Sequence, residues 1–420
     1  MSNAAQSALS STATARIERG TPAFRRTNRA LFAAGFSTFS LLYCVQPLLP
    51  VFSREFRVSA AASSLALSAT TGLLAVGLLV AGSLSEAWGR RNMMVVSLFV
   101  SALLTAVLAF VSGWNQFLFL RAAAGLSLSG LPAISMAYLS EEMDRTAVGP
   151  AMGLFIAASA LGGMSGRILV GVLTDLVSWR FALGVIGAIG LISAWVFWRS
   201  LPASSHFHPR PLALRGLLHS LAEHLREPGL RLLFVEGFLV MGSFVTIYNY
   251  LGYRLEAPPY RLSHSAVGMI FAVYLFGAAS STVTGNLLAR VPRRKVFWGT
   301  ILLMLFGVLM SLLAPVVVVI FGVTLLTIGF FGAHTILSSW VGLRAQHAKG
   351  QASSLYLFLY YMGSSFPGSA GGVFWAAAGW PGVAGFVASL LVVASVISLR
   401  LTHLQPLATA VLEVRAPQGG

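Results

Sequence analysis

The sequence predicts an all-α membrane protein of twelve transmembrane helices in two six-helix pseudo-repeats, on three observations. Of its 420 residues 56% are hydrophobic and 10% charged, with a mean hydropathy of +0.80, whereas soluble domains carry about a quarter charged residues. A helix needs about 20 mainly apolar residues to cross a bilayer. Twelve runs meet that measure, near 29–51, 64–82, 92–112, 115–137, 151–173, 180–199, 231–252, 264–288, 296–313, 316–339, 350–374 and 380–401. The second six repeat the first: Arg29-x-Leu31-Phe32-x-x-Gly35-Phe36 returns as Arg231-x-Leu233-Phe234-x-x-Gly237-Phe238 at an offset of 202, and Gly149, Gly163 and Trp179 return as Gly350, Gly363 and Trp380 at 201, 200 and 201.

Residues 1–28, rich in Ser, Ala and Thr and then basic, read as a disordered cytoplasmic tail. The apolar run behind them is too long for a signal-peptide core. An N-terminal bundle spans 29–199 and a C-terminal bundle 231–402, joined by a hydrophilic cytoplasmic linker at 200–230 and followed by a tail at 403–420. His206 and His208 in the linker lack the fixed scaffold that a metal site needs, and a solvated linker is expected there. The net charge of +16 would suggest nucleic acid on a soluble protein, but its distribution decides otherwise. The tails and even-numbered loops hold 21 Lys and Arg against 5 on the other face, so both termini are expected in the cytoplasm and no nucleic-acid partner is. A single cysteine, Cys44, excludes an internal disulfide. No H-E-x-x-H, G-x-S-x-G or paired intramembrane aspartates occur, so neither an enzyme nor a metal site is expected.

Between segments 2 and 3 lies Gly82-Ser83-Leu84-Ser85-Glu86-Ala87-Trp88-Gly89-Arg90-Arg91. Its glycines suit a tight turn and close helix approach, and Glu86 can pair with Arg90 and Arg91 near a helix end. The stretch recurs after segment 8 as Gly285-Asn286-Leu287-Leu288-Ala289-Arg290-Val291-Pro292-Arg293-Arg294, displaced by 203. Paired hinges between repeated bundles are the plan of a rocking transporter, which a channel would not need.

These residues resemble the major facilitator superfamily over about 25–405. The first hinge is similar to that family's loop signature G-x-x-x-D-R-x-G-R-R, with Glu86 for Asp and Ala87 for Arg; the second has Ala289 at the acidic position and Pro292 for Gly. Arg121-Ala122-Ala123-Ala124-Gly125 is similar to R-x-x-Q-G of proton-coupled members. Gly153, Gly162, Gly166 and Gly171 follow the antiporter signature G-x8-G-x3-G-P-x2-G-G, with Arg167 replacing its proline. With Tyr138-Leu139-Ser140-Glu141-Glu142 and Gly163-Met164-Ser165-Gly166-Arg167, the order looks most like the YnfM-type, arabinose-efflux-like bacterial inner-membrane transporters. The resemblance implies the superfamily's fold and proton-coupled efflux of a small organic solute or drug by alternating access. It implies no cofactor beyond the proton as coupling ion, and a lipid bilayer and a small-molecule substrate as partners of a monomer. Proton-coupled uptake of a sugar or small organic acid is the alternative, because rocking machinery is direction-neutral.

Ionisable groups inside spans are costly and mark function. Glu236 is the clearest intramembrane acid, a proton carrier or a gate partner of Arg231; Asp175 lies near an outer loop, and with Arg121 and Arg167 these are the coupling or gating candidates. Arg121 needs a partner or a wet cavity unless it snorkels outward. Arg167 cannot lose its charge, so it is read as binding a carboxylate of the substrate or of the protein. Without the proline, segment 5 should run straighter. Gln46, Arg167, Tyr248, Asn249, His334, Tyr356 and Tyr360 are candidate cavity residues, with Tyr361 beside them, while Tyr250 and Tyr253 suit an interfacial aromatic belt.

Overall fold

The computed structural model describes residues 16–207 and 214–403. Thr21 caps the first span, α1 (Pro22–Glu55), by accepting from Phe24 N at 3.1 Å. The α-helix breaks after Tyr43 into one 3-10 turn, Gln46–Leu48, because Pro47 and Pro50 offer no N–H to the preceding turn. Then follow α2 (Ala60–Trp88), α3 (Arg90–Phe110), α4 (Trp114–Glu142, loosened ahead of Pro132), α5 (Arg145–Leu176) and α6 (Trp179–Ser200). A linker helix, Leu214–Arg226, leads to α7 (Pro228–Glu256), α8 (His264–Leu287), α9 (Arg293–Met310) and α10 (Val316–Arg344). The last helical stretch, Lys349–His403, breaks at Ala378 and Gly379 into α11 (349–377) and α12 (380–403), the glycine taking a φ of 59°. Twelve spans in two six-helix bundles match the expected fold. Asp144 starts α5 by accepting from Thr146, and the hydroxyl of Thr146 holds that carboxyl below its usual range.

The repeat is visible in packing. Gly162 of α5 lies against the backbone of Phe36 in α1, and Gly363 of α11 against that of Phe238 in α7; any Cβ would collide with the carbonyl. Both crossings put small residues where two backbones meet, as membrane helix pairs do. The central spans α1 and α7 are the most enclosed, while Phe110 of α3, Phe119 of α4 and Val317 of α10 are exposed.

One boundary and one linker residue differ from expectation. Residues 22–28 are helix rather than disordered tail: Arg25, Arg26 and Arg29 lower the local hydropathy, but the Thr21-Pro22 start is intact. Ahead of them Ile17 bridges to Met143, with Ile17 N donating to Glu142 O at 2.8 Å; residues 1–15 lie outside the described residues. In the linker His206 is not solvated at random: its N and Nδ1 lie 2.9 and 3.0 Å from the buried Glu142 carboxylate. His208 and the tail from 404 onward lie outside the described residues.

The halves meet at the end opposite the α2–α3 and α8–α9 connections. There Ser369 Oγ donates to Ser68 Oγ at 2.7 Å, and the Thr71 and Ser365 hydroxyls lie 2.8 Å apart. Tyr253 OH donates to Leu49 O at 2.8 Å. Arg54 pairs with Glu256 at 3.3 Å, Glu256 holds His264 Nδ1 at 2.9 Å, and Asp175 accepts from His264 N and Ser265 N at 3.2 and 2.7 Å. That chain runs from α1 through α7 and α8 to α5, stitching the two bundles. At the other end a Cβ on Gly82, Gly153, Gly285 or Gly350 would meet nothing within 4 Å. The two halves are thus stitched together at the face opposite the hinges.

The closed face can be trapped. In a Cys44→Ala background, Ser68→Cys with Ser369→Cys should form a disulfide on mild oxidation that a reductant reverses, read as a mobility shift after cleavage in the linker; failure to crosslink would contradict this closure.

Candidate functional site

The centre of the seam is built on Arg167. It lies in α5, which is helical through that position, and it is 2% exposed. Nε donates to Gln46 Oε1 at 2.8 Å and Nη1 to Gly163 O at 2.6 Å. Gln46 is free to do this because it sits in the 3-10 turn of the broken α1. Its Nε2 donates onward to Asn249 Oδ1 at 2.9 Å, and Asn249 Nδ2 to Gly368 O at 3.2 Å. One polar chain therefore links α5, α1, α7 and α11. The guanidinium is boxed by rings, 4.2 Å from the centroid of Tyr43, 4.8 Å from Phe271 and 5.0 Å from Tyr274. Cation–π contacts are strongest when desolvated, about 2 kcal/mol. The protein acid offered as a possible partner is not there: among the described residues no carboxylate reaches Arg167.

The remaining candidate side chains extend the ring cluster. Tyr248 OH lies 2.7 Å from Thr327 Oγ1, and its ring is 5.1 Å from Phe271. His334 Nδ1 lies 2.9 Å from Tyr356 OH, with Tyr360 4.6 Å from its ring and Tyr361 5.2 Å from that of Tyr360. Tyr250 is not in a membrane-interface belt. Fully buried, it donates to Gly368 O at 3.1 Å, and Tyr253 joins the outer seam.

Arg121 neither snorkels nor faces water. Fully buried, it donates to Ala66 O, Leu41 O and Leu42 O at 2.9, 3.0 and 2.7 Å. The two α1 carbonyls are free because the helix ends there, and a guanidinium is the donor-only group that can take several at once. Arg121 thus fixes the break that presents Tyr43 and Gln46. Glu236 is also fully buried, yet neither oxygen has a hydrogen-bond partner among the described residues, and the pair expected with Arg231 is absent. Asp175 serves the outer seam rather than the centre.

The hinge differs in detail from its expected form. Gly82 lies inside α2, and Gly89, with a φ of 92°, is the turn. Arg90 reaches back to Ser85 Oγ at 2.6 Å and Gly82 O at 3.3 Å, and it forks onto Glu141 at 2.8 and 3.2 Å, with Glu86 farther off at 3.5 Å. Arg91 donates to Leu201 O and Trp198 O at 3.0 and 2.8 Å. In the second copy Gly285 is helical, Pro292 stands at the start of α9, and Arg293 Nε has no partner among the described residues. Arg294 belongs to the same turn of α9. Sequence reasoning missed Tyr43, Phe271, Tyr274 and Glu256 as site residues, and quoted Glu141 without its role. Only Tyr43, four residues before Pro47, carried a local signal.

Arg121→Met should lower stability by about 2–5 kcal/mol, because three buried carbonyls lose a charged donor; the check is the melting temperature in detergent, and an unchanged value would refute the clamp. Gly82→Leu should melt like the parent, since its Cβ has open space here. It should nevertheless slow transport by obstructing approach of the halves in the opposite state, and normal transport rates would refute that.

Comparison with known proteins agrees with this geometry. Residues 31–366 match the family model described as Major Facilitator Superfamily. The chain is 49% identical over 385 residues to the inner membrane transport protein YnfM of Escherichia coli K12, covering 92% of each. It is 47% identical to the uncharacterized MFS-type transporter YybF of Bacillus subtilis 168, covering 90% of this chain and 94% of that one. Among solved structures it resembles a point mutant of the nucleoside transporter NupG, with a TM-score of 0.76, 14% identity and coverage of 89% and 99%. It also resembles a bacterial homolog of human Spinster in an inward-facing, occupied conformation, with a TM-score of 0.75, 12% identity and coverage of 91% and 98%. At those identities the two structures support the fold alone. The chain belongs to the Major Facilitator Superfamily and is a multi-pass bacterial inner-membrane transporter, a secondary carrier of a small organic solute and not an enzyme.

Proposed function

We propose that the protein is a proton-coupled efflux antiporter that works as a monomer by alternating access, with both termini in the cytoplasm. The observation that carries the coupling is Glu236: a fully buried carboxyl, in a central helix, with neither oxygen bonded among the described residues. A bare carboxylate left there would be an uncompensated charge, and taking up a proton relieves that cost. Arg121 and Arg167 are permanent cations and cannot carry the proton themselves. Loading and unloading Glu236 therefore changes the net charge of the C-terminal half while the N-terminal half keeps its own.

The orientation rests on the charge count of 21 against 5, which favours the hinge face toward the cytoplasm. In that orientation the substrate enters the seam at Arg167 from the inside and leaves once the outer stitching of Arg54, Glu256, His264 and Asp175 opens. Uptake driven by protons would use the same parts in reverse, so the sign of proton movement decides between them.

The test is a solute screen in inverted vesicles with a pH-sensitive dye. Proton release from acidified vesicles on solute addition is the expected result, and proton movement in the same direction as solute would mean uptake. Glu236→Gln keeps the shape and removes titration, so gradient-driven transport should fall about tenfold or more while solute exchange survives. Gradient-driven transport at the parent's rate in Glu236→Gln would overturn the assignment.

A further inference from the structure

The proposed function needs a solute site but not a particular chemistry in it; the seam supplies that chemistry. Arg167 has two of its three nitrogens committed, to Gln46 and Gly163, and Nη2 has no partner among the described residues. Near it lie Tyr43 and Tyr274, their rings 4.2 and 5.0 Å from the guanidinium, and in the same ring cluster Tyr360 and Tyr361 pack against each other at 5.2 Å; each of the four is 5–8% exposed. None of their four hydroxyls is hydrogen-bonded to a described residue, and none is among the side-chain atoms fully sealed from solvent without a partner. The hydroxyls therefore retain a little access to the space between the halves.

Buried donors are normally satisfied, so a group of them left open around a fixed cation calls for an acceptor that the protein does not contribute. We infer that this seam binds an aromatic monoanion, its carboxylate taking the free Nη2 and neighbouring tyrosine hydroxyls and its ring lying among the faces of Tyr43, Phe271 and Tyr274. One negative charge suits one uncompensated guanidinium, and charge-assisted bonds from Arg to a carboxylate are the strong kind. A zwitterion fits less well: no acid reaches Arg167, and Glu236 has no bonded route to it. A sugar would satisfy the hydroxyls but leave the guanidinium without an anion. The rings favour a flat apolar body, because offset and edge contacts at centroid separations of about 4.5–7 Å each add to burial.

This inference rests on the seam being the solute site and is tested by binding alone, with no proton gradient. Purified wild-type protein is titrated with 1-naphthoate, 1-naphthamide and cyclohexanecarboxylate, following the melting temperature and ligand fluorescence. Naphthoate should bind saturably, the amide about 10- to 100-fold more weakly and the saturated acid several-fold more weakly. Arg167→Gln should bring naphthoate to the level of the amide, Arg167→Lys should retain part of the difference because the charge stays and the planar fork goes, and Tyr274→Phe should weaken naphthoate alone. Equal affinity for naphthoate and naphthamide in the wild type would overturn the inference without any variant having to fold, as would unchanged naphthoate binding by a folded Arg167→Gln protein. If charge-selective binding appears and the vesicles move no protons, the coupling reading fails and this one stands. If protons move with some solute but binding is blind to charge, this one fails alone.

Discussion

The structure depends on how it houses guanidinium groups that cannot give up their charge. Moving an ion of that size into a low-dielectric interior costs several kcal/mol even after relaxation, and a single missing partner leaves most of that cost standing. Arg121 meets it with three backbone carbonyls, two of them freed by the end of α1. Arg167 meets it only partly, with one carbonyl, one amide side chain and three ring faces. The contrast separates their roles: the first is a finished structural clamp, and the second is open to something else. Each also depends on the other's surroundings, because the break that Arg121 secures is the one that brings Tyr43 and Gln46 to Arg167.

Much of the architecture was legible because hydropathy and repetition are local properties of the chain. The offset of 202 between Phe36 and Phe238 corresponds to the same tight helix crossing in both bundles. Less legible were features set by partners far away in sequence. Glu141 takes Arg90 across 51 residues, although Glu86 is the nearer acid by sequence, because the bidentate geometry is available only from the end of α4. The acceptors of Arg121 are carbonyls, which no side-chain pattern reveals. Arg25, Arg26 and Arg29 hid the start of α1, since hydropathy responds to their charge while the exposed face of a helix tolerates it. Phe271 and Tyr274 carried no signal in the sequence, and they reach Arg167 because α8 packs against α5 at Gly171 and Gly268.

The pseudo-symmetry of the halves explains why charge is divided between them as it is. Gln46 and Asn249 are repeat-related, 203 residues apart, and they bond to each other at the junction of the two halves. Their outer partners are repeat-related too: Arg167 and Gly368 lie 201 apart, at the offset that relates Gly162 to Gly363. The four-membered chain is thus a symmetric framework in which one end carries a cation and the other only a backbone carbonyl. The acid is displaced in the opposite sense, for Glu236 in α7 corresponds to Ala34 in α1 at the offset of 202. A duplicated pair of bundles would otherwise place like charges in equivalent positions about the seam, where they would repel. Placing the permanent cation in one half and the buried acid in the other avoids that repulsion, and under the proposed coupling a substrate at Arg167 and a proton at Glu236 would each bias the same junction from its own side.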